Sequence, residues 1–385
     1  MTDTSDPGGP LSGVLVADFS RVLAGPYATM LLADLGADVV KVEGPGGDDT
    51  RSWTPPARGA ASTYYLGVNR GKRSIALDLR DAGDAGLARE LARRADVLVE
   101  NFRPGGLAKY GLDYAAVSAG NPGLVYASIS GFGAGAGARV PGYDLMVQAM
   151  SGLMSLTGEP DGPPYRAGIS VFDVMAGNHA VIGVLAALRH REATGQGQHV
   201  EVNLMSSALT GLVNQSSAYV AGDVVPYRMG NAHPSVFPYE PLPTADHDLI
   251  IAAANDGQFR KLCEVLGVPS LADDPRFARN ADRTERREEL RPLLVERLVL
   301  RPADEWFGLL VEAGVPSGPI NTIDGGFAVA ERFGLEPVVV VGEGARAVPT
   351  TRHPIRFSET PAGYALPPPE LDEHGAELRK WLGAS

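Results

Sequence analysis

The chain reads as an α/β protein, an open parallel sheet with helices on both faces followed by a smaller α+β domain. Three observations predict this. Short apolar runs alternate with helical periods over the first half, the pattern of parallel strands joined by helical crossovers. The 385 residues exceed what one hydrophobic core usually organises. After about residue 219 the alternation gives way to a polar, proline-rich stretch.

Residues 14–19 form a compact apolar run that ends in the turn 20–25. Pro26 suits the first turn of a helix, where its missing N–H is not needed, and Met30, Leu31 and Leu35 carry helical spacing to a stop at Gly36. The next strand is 38–43, which completes a right-handed βαβ unit. The pattern repeats with a strand at 74–79, a helix at 81–96 and a strand at 97–100. A short helix at 104–110, a strand at 124–129, a long helix at 174–190 and a strand at 199–202 follow. Residues 223–243 read as a linker. Beyond it come a strand at 249–253 and helices at 258–266, 283–298 and 302–313. The expected domains are 1–220, a small one at 225–325, and a segment at 330–385 that returns to the large domain.

Composition narrows the function classes. Apolar residues at 44% and charged residues at 21% are ordinary for a globular enzyme. A net charge of −12 disfavours nucleic acid, which needs a broad basic face, but leaves room for a phosphorylated small molecule. The start, Met1 to Asp6, has neither basic residues nor an apolar core, so no signal peptide is expected. The apolar stretch 180–188 is too short to span a bilayer, so no membrane partner is expected. The single cysteine, Cys263, falls on a helical pattern and reads as a buried, reduced thiol. A cytoplasmic location is the expectation.

The first βαβ unit invites a dinucleotide reading, because Glu43 ends the second strand where such folds place a ribose-binding acid. The turn from Ser20 to Pro26 lacks the Gly-x-Gly-x-x-Gly pattern, however. The glycine-rich run Gly131 to Gly137 has Ala136 at the third glycine position and no helix opening after it, which suits an active-site loop better. NAD is therefore the lesser reading. Cations cluster near strand ends, with Asn69-Arg70-Gly71-Lys72-Arg73 before a strand and Arg80, Arg103 and Lys109 after strands. Arg80 and Arg103 would converge on one crevice and suit the phosphates of a nucleotide-like ligand, or else keep a solvated surface.

Asp173 interrupts the apolar run 169–175 just before the long helix. It reads as an N-cap, and a helix N-terminus also stabilises a carboxylate anion. Shielded from water, such a carboxylate attacks an activated acyl group without a general base. His179, on the same helix, reads as a core histidine. The other histidines lack metal-ligand spacing, so no metal is expected. No Gly-x-Ser-x-Gly elbow supports a hydrolase triad.

Taken together, these residues resemble the family III coenzyme A transferases, which include formyl-CoA transferase, carnitine CoA-transferase and the α-methylacyl-CoA racemases. The likeness rests on the Ala24-Gly25-Pro26 turn, the run Leu35 to Glu43, Gly47-Asp48, and Asn69 to Ser74. It continues through Glu100-Asn101-Phe102-Arg103-Pro104-Gly105, Gly142-Tyr143-Asp144, Thr194 to Gln198, Pro238-Tyr239 and Ala313-Gly314-Val315-Pro316.

The resemblance implies a Rossmann-like large domain, an interlocked homodimer, and acyl-CoA:carboxylate CoA transfer through aspartyl-anhydride and aspartyl-CoA intermediates on Asp173. It implies an acyl-CoA donor and a carboxylic acid acceptor as partners, with coenzyme A as substrate and no permanently bound cofactor. CoA contacts would come from Arg21, Leu23, Ala24, Leu77, Arg80, Asn101, Phe102, Arg103 and Lys109, with Lys109 standing where many relatives carry Arg. Gly131 and Gly133 are candidate oxyanion donors or lid residues. Gly44, Ser130 and the sequence Asn231-Ala232-His233-Pro234 depart from the formyl-CoA:oxalate members and count against oxalate as acceptor. Racemases pair the aspartate with a histidine in Gly-His-Asp. Tyr143 stands there in this chain and is a poor base at neutral pH, which disfavours the racemase alternative. A non-catalytic CoA-binding protein is the third reading.

Overall fold

The computed structural model describes residues 8–383. The Met1 to Asp6 start lies outside the described residues. Two compact units form. Among the described residues, one takes 8–153, Arg166–Val224 and 336–383, and the other takes Met154–Tyr165 and Val225–Leu335.

The first unit is built on six parallel strands, β1 (Leu15–Asp18), β2 (Asp38–Glu43), β3 (Lys72–Ala76), β4 (Val97–Glu100), β5 (Val125–Ser130) and β6 (Gln198–Asn203). Their order is 3-2-1-4-5-6, the doubly wound arrangement, whose switch point lies between β1 and β4. Helix α1 (Ala24–Asp34) and the long helix α2 (Val171–Thr194) share a core on one face with Val16, Val39, Val97 and Val125. Helix α3 (Ala82–Arg94) covers the other face, and Leu378 and Leu382 of the C-terminal helix α4 (Gly375–Leu382) join its core. The C-terminal segment also closes edge strand β3: Asp372 accepts the Ala76 N–H at 2.8 Å, and the His374 N–H reaches the Ser74 carbonyl at 3.0 Å.

Several local expectations shift. Residues 104–110 yield only a 3-10 turn at Ala108–Tyr110, because Gly105, Gly106 and Gly111 deny a longer helix. Helix α2 is longer than expected, and at 24 residues it is long and apolar enough to cross a membrane by length and composition alone. Here its Phe172, Ala176, Ala180, Val184 and Leu188 face lies in the core of the sheet unit.

The second unit contains a three-stranded antiparallel sheet of Tyr239–Pro243, Asp248–Ala252 and Ser317–Pro319 with helices against it. Residues 239–243, read above as linker, are thus a strand, anchored beside the fully buried Phe237. Cys263 is buried in this core, and burial pushes its thiol up to about 12.

Candidate active site

The site lies beyond the carboxyl ends of β1, β4 and β5, beside the switch point of the sheet. Helix α2 brings Asp173 there because it packs tightly on α1. A Cβ on Gly177 would stand 2.8 Å from the Ala24 carbonyl oxygen, so only glycine lets the helices approach this closely. A second close crossing shapes the loop opposite. A Cβ on Gly131 would meet the Gly142 Cα at 2.3 Å, so the glycine-rich loop crosses the Gly142-Tyr143-Asp144 segment backbone to backbone.

Asp173 is not the N-cap. The cap position is Ser170, whose side chain makes no capping bond, and Asp173 sits within the first turn. The capping acceptor comes from another helix. Asp144 Oδ1 accepts the N–H of Phe172 at 2.8 Å and of Asp173 at 3.2 Å. Gln148, one turn further along the helix Asp144–Met150, donates to Asp144 and to the Ile169 carbonyl at 3.1 Å, and accepts the Ala167 N–H at 2.8 Å. The approach to α2 is thereby fixed.

The electrostatics reverse the expectation of a carboxylate stabilised by the helix dipole. Burial first, and the nearby Asp144 charge second, raise the Asp173 carboxyl to about 7. The Tyr64 hydroxyl is pushed above its ordinary value by burial and by Asp173.

Asp173 lines a cavity of about 80 Å³ together with Ala24, Asn101, Phe102, Arg103, Gly131 and Gly133. The Gly133 N–H already donates to the Ser130 hydroxyl at 3.1 Å. A second cavity, about 330 Å³, is lined by Arg21, Leu77, Arg80 and Phe102 among others. Phe102 borders both. Arg80 lines the larger cavity and Arg103 the one that holds Asp173, so the two cations expected to share one crevice line adjoining cavities that meet at Phe102. Arg80 is paired with Asp78 through two bonds of 2.9 Å. Leu23 is buried, and Lys109 is exposed with its ammonium 4.7 Å over the Tyr110 ring; neither lines these cavities.

The turn between β1 and α1 is held from both sides. Asn101 Oδ1 accepts the Arg21 N–H at 2.9 Å, and its amide donates to the Arg21 carbonyl at 2.7 Å. Val22 adopts φ of 69°, a left-handed conformation that strains a β-branched residue. Both Asp48 carboxylate oxygens hold its N–H, at 3.3 and 3.2 Å. Lys41 Nζ bridges Asp48 Oδ2 and the Ser20 carbonyl, each at 3.0 Å.

Below this turn the basic run 69–73 proves internal. Arg70 forms a bidentate pair with Asp34 at 2.8 and 2.6 Å. Lys72 Nζ bonds Asp18 at 3.0 Å, the Pro26 carbonyl at 2.9 Å and Asn69 Oδ1 at 2.9 Å. Arg73 pairs with Asp38 at 3.0 and 2.6 Å. Arg70 and Lys72 are thus neither phosphate ligands nor a solvated surface, while the half-buried Arg73 pairs with carboxylates at the surface. Burial would raise the Asp18 carboxyl, but Lys72, Lys41, Ser20 and Thr29 together hold it below the ordinary carboxylate value, while burial lowers Lys72 to about 8.

A third cavity, about 140 Å³, shares Phe102, Arg103 and Gly133 with the one that holds Asp173. A cross-strand row of side chains floors it. Ser128 Oγ bonds His199 Nε2 at 2.8 Å, and Glu100 Oε2 accepts the Phe102 N–H at 2.7 Å. Burial raises the Glu100 carboxyl, and burial lowers the His199 imidazole. His179, expected in the core, bonds Ser207 at 2.9 Å.

Asp144, Gln148, Tyr64 and Asp48 escaped the sequence reading as functional residues. The spacing of Asp144 and Gln148 marks them as helical neighbours. Nothing in it points to a helix that begins 27 residues after Asp144.

The chain is similar to known proteins over nearly its whole length. The model of "CoA-transferase family III" matches residues 11–375. The succinate–glutarate CoA-transferase of Agrobacterium fabrum is 45% identical, over 98% of this chain and 97% of that protein. The acetyl-CoA:oxalate CoA-transferase of Acetobacter aceti is 41% identical, over 100% and 99%. Among solved structures, a CAIB/BAIF family protein from Brucella suis superposes with a TM-score of 0.86 at 44% identity, covering 97% of this chain and 100% of that one.

Proposed function

This chain belongs to CoA-transferase family III and is a CoA-transferase, and we propose that it moves CoA between carboxylic acids through covalent intermediates on Asp173. The observation that carries the reading is the placement of Asp173. It is the one acidic side chain in a cavity otherwise lined by small, apolar and neutral groups plus Arg103, and burial keeps its carboxyl near 7. A carboxylate of raised basicity in a shielded site is a strong nucleophile.

In the proposed sequence a carboxylate oxygen of Asp173 attacks the donor thioester carbonyl, the C–S bond breaks, and an aspartyl-acyl anhydride and CoA thiolate form. The thiolate attacks the Asp173 carbonyl and expels the donor acid as its carboxylate. An acceptor carboxylate attacks the resulting aspartyl-CoA thioester and releases the thiolate, which then attacks the acceptor's acyl carbonyl and restores Asp173. No proton is consumed and no ATP is needed, because the thioester energy is held in covalent bonds throughout. Coenzyme A is substrate here, not a resident cofactor.

CoA would run from the larger cavity, with Arg21, Leu77 and Arg80, over Phe102 and past Ala24 and Asn101 to Asp173; Leu23 and Lys109 would act from the margin. Gly131 is the better oxyanion candidate, since the Gly133 N–H already has a partner. Oxalate stays among the acids to be tried, because a relative named for it is 41% identical.

The interlocked homodimer is proposed as well. Exposed apolar side chains along α2 and the helix Val213–Gly222, among them Ile182, Tyr219 and Val220, support it. A cytoplasmic location completes the proposal.

Incubating the protein with succinyl-CoA and candidate acids tests the activity, with hydroxylamine trapping and a mass shift at Asp173 reporting the aspartyl-CoA ester. Full transfer by Asp173→Ala would overturn the nucleophile. Deuterium incorporation at the α-carbon of a 2-methylacyl-CoA without any acceptor acid would favour the racemase reading instead.

A further inference from the structure

Among the described residues, Arg103 is the only cationic side chain lining the cavity that holds Asp173. Its backbone is fixed on both sides. Asn101 is clipped to Arg21, Glu100 holds the Phe102 N–H at 2.7 Å, and the Arg103 carbonyl accepts the Gly106 N–H at 2.8 Å. Pro104 and Gly105, the latter at φ of 78°, complete a rigid turn after it. The guanidinium itself is exposed, and among the described residues none forms a hydrogen bond or ion pair with it. A cation with an anchored backbone and a free, fork-shaped head is preorganised for an anion.

Which anion follows from the neighbours. The cations suited to CoA phosphates, Arg21 and Arg80, line the separate, larger cavity, and Arg103 does not. The reacting end of the catalytic cavity must admit a substrate carboxylate beside Asp173, already crowded by the Asp144 charge. A second carboxylate on the same substrate, paired with Arg103, offsets that repulsion and sets orientation.

We infer that Arg103 holds the distal carboxylate of a dicarboxylic acid whose other carboxylate exchanges CoA at Asp173. The inference rests on the transferase reading above and narrows its substrates to diacids.

In a ping-pong scheme, kcat/KM for the acceptor at saturating donor reports the acceptor step alone. The test compares glutarate with its monomethyl ester as acceptor in the wild type, Arg103→Gln and Arg103→Lys. Glutarate should be preferred by the wild type. Arg103→Gln should cut that preference roughly 10- to 100-fold, the worth of one charge-assisted pair, with Arg103→Lys falling between. An unchanged preference in Arg103→Gln, with a drop in kcat/KM for the acyl-CoA donor, would make Arg103 a CoA contact and overturn the inference. So would a wild type indifferent to the ester.

If no acid accepts CoA, the transferase reading fails on its own account. Calorimetric titration of glutarate then still decides for Arg103: weaker binding by Arg103→Gln than by the wild type supports it, and equal binding overturns it.

Discussion

Asp144 Oδ1 accepts the backbone N–H of Asp173 at 3.2 Å and that of Phe172 at 2.8 Å, so one carboxylate caps the helix that carries the other. The arrangement places a fixed negative charge beside the proposed nucleophile. It raises the basicity of Asp173 while satisfying the donors that would otherwise have stabilised Asp173 as an anion.

The pH dependence follows directly. In the proposed mechanism the reactive form of Asp173 is the carboxylate, and burial with the Asp144 charge raises its carboxyl to about 7. Acceptor-independent formation of the aspartyl intermediate should therefore fall as pH drops through about 7 and level off above it. In Asp144→Asn the like charge is gone, so this acid limb should move to lower pH. Single-turnover rates between pH 5 and 9 measure both, and an unmoved limb in Asp144→Asn would separate the two residues.

Stability carries the same signature with a defined sign. A carboxyl raised in the folded state binds its proton more tightly there than in the unfolded chain, so the folded state loses stability as pH rises from about 4 to about 7. Asp173→Asn removes that penalty. Its gain in thermal midpoint over the wild type should grow across this window and stay constant above it, as read by calorimetry without ligand.

The crossing of Gly131 and Gly142 is intolerant of a side chain. A Cβ at either position would stand 2.3 or 2.4 Å from the other's Cα, whereas one on Gly135, in the same loop, meets nothing within 4 Å. Gly131→Ala should cost about 1–3 kcal/mol in denaturant unfolding and displace the loop beside Asp173. Gly135→Ala should leave stability within about 0.5 kcal/mol of the wild type.

The buried Lys72–Asp18 pair is the support most sensitive to truncation. Both side chains are fully buried, so Lys72→Met leaves the Asp18 carboxylate under the β1–α1 turn without its ion-pair partner. The expected loss is about 3–5 kcal/mol. The double variant Asp18→Asn with Lys72→Met should recover part of it, and urea titrations of the three proteins check this.

Much of this protein is decided by local pattern. The alternation of apolar runs and helical periods determined the parallel sheet. Strands Asp38–Glu43 and Val97–Glu100 fall where the valine-rich runs place them, since β-branched residues favour a buried strand, and the charges Lys41 and Glu43 within the first are met by partners in the fold. Asp173 stands out for the same reason, as a charge inside an apolar run at a helix start. The chain's order of motifs likewise determined its family.

Tertiary structure decided the rest, because charge behaviour depends on partners far away in the chain. Arg70 and Lys72 look like ligand-facing cations until Asp34 and Asp18 meet them in the core. Arg80 and Arg103 both follow strands, yet they open into different cavities. The cap of the Asp173 helix belongs to Asp144, 29 residues away in sequence and adjacent only after folding. Burial and neighbouring charge are properties of a packed site, and no residue carries them alone.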